Sequence, residues 1–188
     1  MKRLFDIIFS SVSLLILSWL IVVCFIIASI ETKSNGFFVQ KRVGQWGKLF
    51  WIFKIKTIDP RSQKTTFFGY YFRRYKLDEI PQFLNVLLGD MSVVGPRPDV
   101  QGYYDLLQGE DRKVLALKPG ITSEASIKYS NEDEILNQQE NPLEYNDKII
   151  FPDKIRMNLA YFHNHTFVGD LKIIFRTMVG SSENKNIG

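Results

Sequence analysis

Residues 5–30 are apolar at nearly every position, and Asp6 is the only charge among them. A helix rising about 1.5 Å per residue over that length reaches across roughly 30 Å of hydrocarbon. The run is too long for a signal-peptide core, and no small-residue cleavage site follows it. Lys2-Arg3 precede it, while Lys33, Lys41 and Arg42 follow it. Positive charge on both sides gives the positive-inside rule no direction. Two topologies therefore stay open. Composition alone favours a single-pass anchor. The other is a segment that enters and returns, with Ser10, Ser11, Ser13 and Ser18 able to satisfy backbone groups at a bend.

Beyond this run the periodicity changes. Apolar and basic residues interleave in 37–40 and 48–55, which predicts a hairpin around Gly44-Gln45-Trp46-Gly47. Residues 67–75 are rich in aromatics and arginine and read as an amphipathic helix at a membrane surface, its basic side chains reaching toward headgroups. Ile80, Phe83, Leu84 and Leu87 recur at helical spacing and predict a helix from Asp78 or Glu79 to Leu88, closed by Gly89. Pro81 falls in its first turn, where a missing N–H is tolerated. Another helix is expected over 102–117, stopped by Lys118-Pro119-Gly120. Residues 128–152 read as an acidic loop with short helical pieces. Two amphipathic helices follow at 153–162 and 170–179, and 181–188 reads as a disordered tail.

The chain has 188 residues, room for one domain with a core plus a membrane element. Its net charge of +4 is unevenly distributed. Eleven Lys and Arg lie between Lys33 and Lys76, opposed only by Asp59. That asymmetry points to a polyanionic partner: lipid headgroups, a nucleotide or a nucleic acid. Cys24, the single cysteine, lies in the apolar run, which excludes a disulfide framework and a zinc cluster.

Candidate chemistry gathers in Leu77-Asp78-Glu79-Ile80-Pro81-Gln82, Gly89-Asp90-Met91-Ser92 and Gly95-Pro96-Arg97-Pro98. Carboxylates at a helix start sit where free N–H groups and the dipole favour anions, which also attracts phosphate. One of Asp78 and Glu79 can hold Mg²⁺ while the other attacks phosphorus, since Mg²⁺ takes one or two carboxylates plus phosphate oxygens. Arg97, stiffened by a proline on each side, can clamp a diphosphate through paired hydrogen bonds. Taken singly, the acid pair reads as a helix cap and the proline-flanked arginine as a turn. Their joint occurrence favours a site. His163 and His165 would share a face on a strand, but no third metal ligand is evident.

These stretches resemble the bacterial sugar transferases of the small monotopic phosphoglycosyl transferase kind. Lys2-Arg3-Leu4-Phe5-Asp6, Phe38-Val39-Gln40-Lys41-Arg42-Val43-Gly44, Phe53-Lys54-Ile55-Lys56-Thr57, Lys118-Pro119-Gly120-Ile121-Thr122 and Asp170-Leu171-Lys172-Ile173-Ile174-Phe175 extend the likeness over nearly the whole chain. The resemblance implies transfer of a sugar-1-phosphate from a UDP-sugar to polyprenyl (undecaprenyl) phosphate, the first membrane step of glycan assembly. It implies Asp78 as the nucleophile of a covalent phospho-sugar intermediate, with Glu79 as its partner and both near Mg²⁺. Arg73 and Arg97 are expected to bind phosphate, and Lys54, Lys56 and Gln82 join them as substrate-binding candidates.

The implied fold is α/β and helix-dominated: an N-terminal re-entrant membrane helix, a small β-hairpin or sheet, and amphipathic interfacial helices around one catalytic core. Residues 1–32 would form the membrane helix and 33–180 a catalytic domain on the cytoplasmic face of the bacterial inner membrane. Membrane lipids are expected as partners and nucleic acid is not; a homodimer stays open. The chain departs from the family at Ser18-Trp19, where Ser-Pro is common, at Lys56, where arginine is usual, and over 123–129. The competing class is a membrane-anchored basic module for nucleic acid or anionic lipid, whose binding would fall steeply with salt. A phosphatase using the same aspartate is a third class.

Overall fold

The long apolar run folds as one helix, α1 (Lys2–Thr32), in a computed structural model that describes residues 1–183. Its buried residues are Asp6, Ser10, Cys24, Ala28 and Thr32, a single stripe of small or polar side chains at helical spacing. Leu15, Trp19 and Ile30 on the rest of its surface are exposed. This reverses the amphipathicity of a helix in water and suits one whose outer face meets lipid, because small residues let other elements approach closely. No break interrupts α1. Ser18 Oγ donates to Leu15 O (3.0 Å) without bending the helix, since Trp19, unlike proline, keeps its backbone N–H.

Two compact units make up the described residues. The first comprises Met1–Val43 and Leu49–Val93. In it β1 (Phe37–Val43) and β2 (Leu49–Ile55) pair antiparallel, with Phe37 opposite Ile55 and Val43 opposite Leu49. The predicted hairpin is present. Phe50 and Ile52 point into the core, as alternation requires. α2 (Phe67–Arg74) starts on Thr66, whose hydroxyl accepts from Gly69 N, and Glu31 at the end of α1 accepts from Phe68 N.

The expected helix from 78 or 79 splits. A 3₁₀ turn spans Leu77–Glu79 and α3 spans Gln82–Leu88. Pro81 has no N–H to give to Leu77 O, so Ile80 N takes that carbonyl across a tighter, three-residue turn (3.3 Å). α3 ends as read: Gly89 is left-handed at φ 96°, and Asn85 O accepts from Gly89, Asp90 and Met91 N. β3 (Ser92–Val94) follows.

The second unit comprises Gly44–Lys48 and the chain from Val94 onward. Gly95 N donates to Thr122 O in β4 (Gly120–Thr122), and Gly120 N donates to Pro96 O. A Cβ on Gly120 would stand 2.1 Å from Gly95 N, so only glycine permits this backbone approach. The helix expected over 102–117 is absent. Gly102 and Gly109 adopt positive φ (103° and 56°), leaving 3₁₀ turns at Tyr104–Leu106 and Asp111–Ala116.

α4 (Glu124–Lys128) comes first, and residues 128–152 contain the short helical pieces anticipated: α5 (Glu132–Asn137), α6 (Pro142–Tyr145) and a π turn at Asn146–Ile150. α7 (Phe151–Asn164) and α8 (Phe167–Glu183) close the chain. The tail expected from 181 is helical as far as Glu183, and its remainder lies outside the described residues. The whole is α/β and helix-dominated, with one long apolar helix and two small sheets.

Candidate active site

Lys76 takes a left-handed conformation (φ 56°) and turns the chain from α2 into the Leu77–Glu79 turn. Leu77 packs against a cluster of Cys24 and Ala28 from α1, Ile55 from β2 and Phe72 from α2. That apolar anchor, with the Glu79 N–H bonded to Lys76 O (3.2 Å), sets the turn that carries the two acids. Asp78 and Glu79 are each only 7% exposed. Two adjacent carboxylates this far from water need compensating charge and hydrogen bonds. Lys54, on the core face of β2, supplies one: its Nζ lies 2.9 Å from Glu79 Oε1.

The other expected residues fall differently. Gln82 is buried in the first turn of α3, next after the acids and Pro81. Arg73 lies exposed in the last turn of α2, its carbonyl accepting from Lys76 N (3.1 Å) and so helping to shape the entry to the acid pair. Lys56 donates to Ser34 Oγ (2.9 Å), just past the end of α1, instead of to the acids. Arg97 is exposed between its prolines in the second unit. Asp90 closes α3 through its backbone N–H, in keeping with the turn reading.

His163 and His165 are not on a strand. They sit at the end of α7, where His163 Nε2 faces Glu110 (3.4 Å) and His165 Nδ1 lies 3.2 Å from Tyr161 O and Phe162 O. Among the described residues no group of three or more His, Cys, Asp or Glu could hold a metal.

Three residues that position this site, Asp6, Arg3 and Asn85, had no role assigned from sequence. Asp6 is 2% exposed and accepts from Ser92 Oγ (2.9 Å) and Val93 N (3.0 Å). One turn earlier in α1, Arg3 donates to Val86 O and Leu87 O (2.9 Å for the latter), carbonyls of the last turn of α3. The available signal was the lone charge in an apolar run, which in lipid demands a partner. Asn85, fully buried, accepts from Phe53 N (3.0 Å) and donates to Trp51 O (2.7 Å). Its amide acts as a strand partner and ties α3 to β2, the strand that carries Lys54.

The profile of the family described as bacterial sugar transferase matches residues 1–183. The UDP-glucose:undecaprenyl-phosphate glucose-1-phosphate transferase of Klebsiella pneumoniae is 36% identical over 204 aligned positions, which cover 98% of this chain and 41% of that protein. The uncharacterized sugar transferase EpsL of Bacillus subtilis (strain 168) is 33% identical over 95% of this chain and 85% of its own length. A putative undecaprenyl-phosphate N-acetylgalactosaminyl 1-phosphate transferase of the same strain is 35% identical over 58% of this chain and 68% of its own. The chain thus spans under half of the Klebsiella relative and most of EpsL.

Proposed function

The chain belongs to the bacterial sugar transferase family, and on that footing we propose that it moves a sugar-1-phosphate from a UDP-sugar to undecaprenyl phosphate, initiating polysaccharide synthesis. The observation that carries the reading is the buried Asp78–Glu79 pair, held by Leu77 beside a helix whose outward face is apolar. A soluble nucleotide donor and a lipid phosphate acceptor can both reach such a place.

Asp78 is the nucleophile. Its carboxylate oxygen attacks the phosphorus that bears the sugar, and the bond from that phosphorus to the bridging oxygen breaks, releasing UMP. The acyl-phosphate so formed is opened by an oxygen of undecaprenyl phosphate, which frees the Asp78 carboxylate and yields the sugar diphospholipid. Glu79, neutralised by Lys54, orients the phosphates. Arg73 and Arg97 offer guanidinium groups to phosphate oxygens, and Lys56 and Gln82 support the donor pocket. Asp78 and Glu79 fit Mg²⁺, which needs no more than one or two protein carboxylates when substrate phosphates complete its shell. Bound there, Mg²⁺ would neutralise charge on the diphosphate.

The membrane arrangement is read from α1. Its beginning is held by Ser92, Val86 and Leu87, and its end by the Ser34–Lys56 contact, all within the first unit. A spanning helix would put those two sets of partners on opposite sides of the bilayer. These contacts favour both ends of α1 on one side of the bilayer, which on this reading is the cytoplasmic side where a UDP-sugar is available, with α1 in one leaflet and α2 at the headgroups.

The test is mass spectrometry of the protein incubated with Mg²⁺ and a panel of UDP-sugars. The expected result is a phospho-sugar adduct on the Asp78 peptide with one donor, discharged by undecaprenyl phosphate and absent from Asp78→Asn. Turnover without any adduct would sink the covalent mechanism, and free sugar phosphate as the product would make the protein a phosphatase.

A further inference from the structure

The hairpin has a second face. The register that sets Val39 opposite Phe53 and Lys41 opposite Trp51 puts Phe37, Val39, Lys41, Leu49, Trp51 and Phe53 on the side away from Lys54, between Val43 and Ile55, which are buried at the two ends of that face. On the Lys54 side Phe50 and Ile52 are buried, but here Trp51 is 53% exposed, Val39 46% and Leu49 41%. An apolar sheet face left open in this way marks an interaction surface.

Two observations identify what covers it. The Phe37 ring lies 4.8 Å from that of half-buried Phe25 in α1, centroid to centroid, so the patch abuts that helix beside its exposed Val22 and Ile26. Lys41 Nζ stands 5.1 Å from the Trp51 ring centroid, a cation beside an amphipathic ring. Tryptophan with a neighbouring lysine is the pairing that settles at headgroup level, the ring in the boundary and the ammonium toward phosphate. A two-fold pairing of the patch with a second copy would bring two Lys41 ammonium groups together, which disfavours that occupant.

We propose that the outer face of the β1–β2 hairpin is a second membrane-contact surface, lying against the same anionic bilayer as α1 with Trp51 at the headgroup boundary. The proposal rests on the reading that α1 sits in that bilayer. It gives the strand carrying Lys54 a direct reference to the membrane plane, which would fix the height of the Asp78–Glu79 pair above the lipid phosphates.

The three tryptophans allow a direct test. Trp19→Phe with Trp46→Phe leaves Trp51 alone, and Trp46→Phe with Trp51→Phe leaves Trp19. Each protein is placed in phosphatidylethanolamine–phosphatidylglycerol bilayers whose acyl chains are brominated, and separately exposed to aqueous acrylamide. The expected result is loss of Trp51 emission in brominated lipid to an extent comparable with Trp19. Trp51 quenched by acrylamide alone overturns the proposal, because the hairpin then faces water. Trp51 shielded from both quenchers until the protein is diluted over lipid overturns it in favour of a second copy. If brominated lipid fails to quench either tryptophan, the membrane reading of α1 falls and takes the proposal with it.

Discussion

Lys54 and Glu79 form their ion pair with side chains only 18% and 9% exposed, where water screens little of the attraction. Lys54→Met leaves the Glu79 carboxylate without this donor, and a hydrogen bond to a charged group is worth about 1.5–3 kcal/mol. The expected effect on kcat/KM is a loss of roughly 10- to 100-fold, with partial recovery in Lys54→Arg. Ser92→Ala removes a donor from buried Asp6 and should lower unfolding free energy by about 1–3 kcal/mol. Ser18→Ala, bonded only within its own exposed turn, should change thermal unfolding little. In the second unit Lys128, Arg156 and Tyr129 all donate to Asp153 and hold its carboxyl well below the usual carboxylate range. A depressed folded pKa stabilises fully above the unfolded value of about 4, and the gain is lost as pH falls through the folded one. Asp153→Asn should therefore flatten the acid limb of a plot of melting temperature against pH, with little change in slope above about pH 6.

The elements differ in how far their residues announce them. The hairpin was legible because alternation of apolar and basic positions is itself the geometry of a half-buried strand. α2, α7 and α8 followed from their 3.6-residue spacing. Residues 102–117 carry helix-like apolar spacing, yet Gly102 and Gly109 enter positive φ, where no helix continues. The start of α3 misled for another reason: an apolar face continues through Pro81, but the missing N–H turns the first bonds into 3₁₀ geometry. Gly95 and Gly120 show what an invisible backbone contact demands. Gly120→Ala would press a methyl group onto Gly95 and should cost about 1–3 kcal/mol, read as a lowered melting temperature.

At the scale of the whole molecule, α1 is built into the first unit near both ends, through Asp6 and Ser10 and through Cys24, Ala28 and Thr32, and is not a tether preceding it. A thiol label tests this. In a Cys24→Ala background, Leu4→Cys and Lys33→Cys should both react with a membrane-impermeant reagent from the same side of oriented vesicles. Accessibility from opposite sides would restore a spanning helix. The basic stretch also changes meaning in the fold. Lys54 is engaged by Glu79, Lys56 by Ser34 and Arg61 by Asp59, so part of the charge that suggested a nucleic-acid partner serves internal contacts.

The apolar run, the hairpin and the acid pair with its flanking motifs were written in the chain, and with them the family. Each is a pattern of neighbours, so the order of residues is enough to specify it. The role of Asp6 was not, because its partner Ser92 lies 86 residues away and no periodicity links them. Nor was the choice between Lys54 and Lys56, which strict alternation would place on one face. β2 ends at Ile55, so Lys56 leaves the strand for Ser34 and only Lys54 meets Glu79. Tertiary packing decided those pairings, since a buried charge takes whichever partner the folded backbone brings within hydrogen-bond reach.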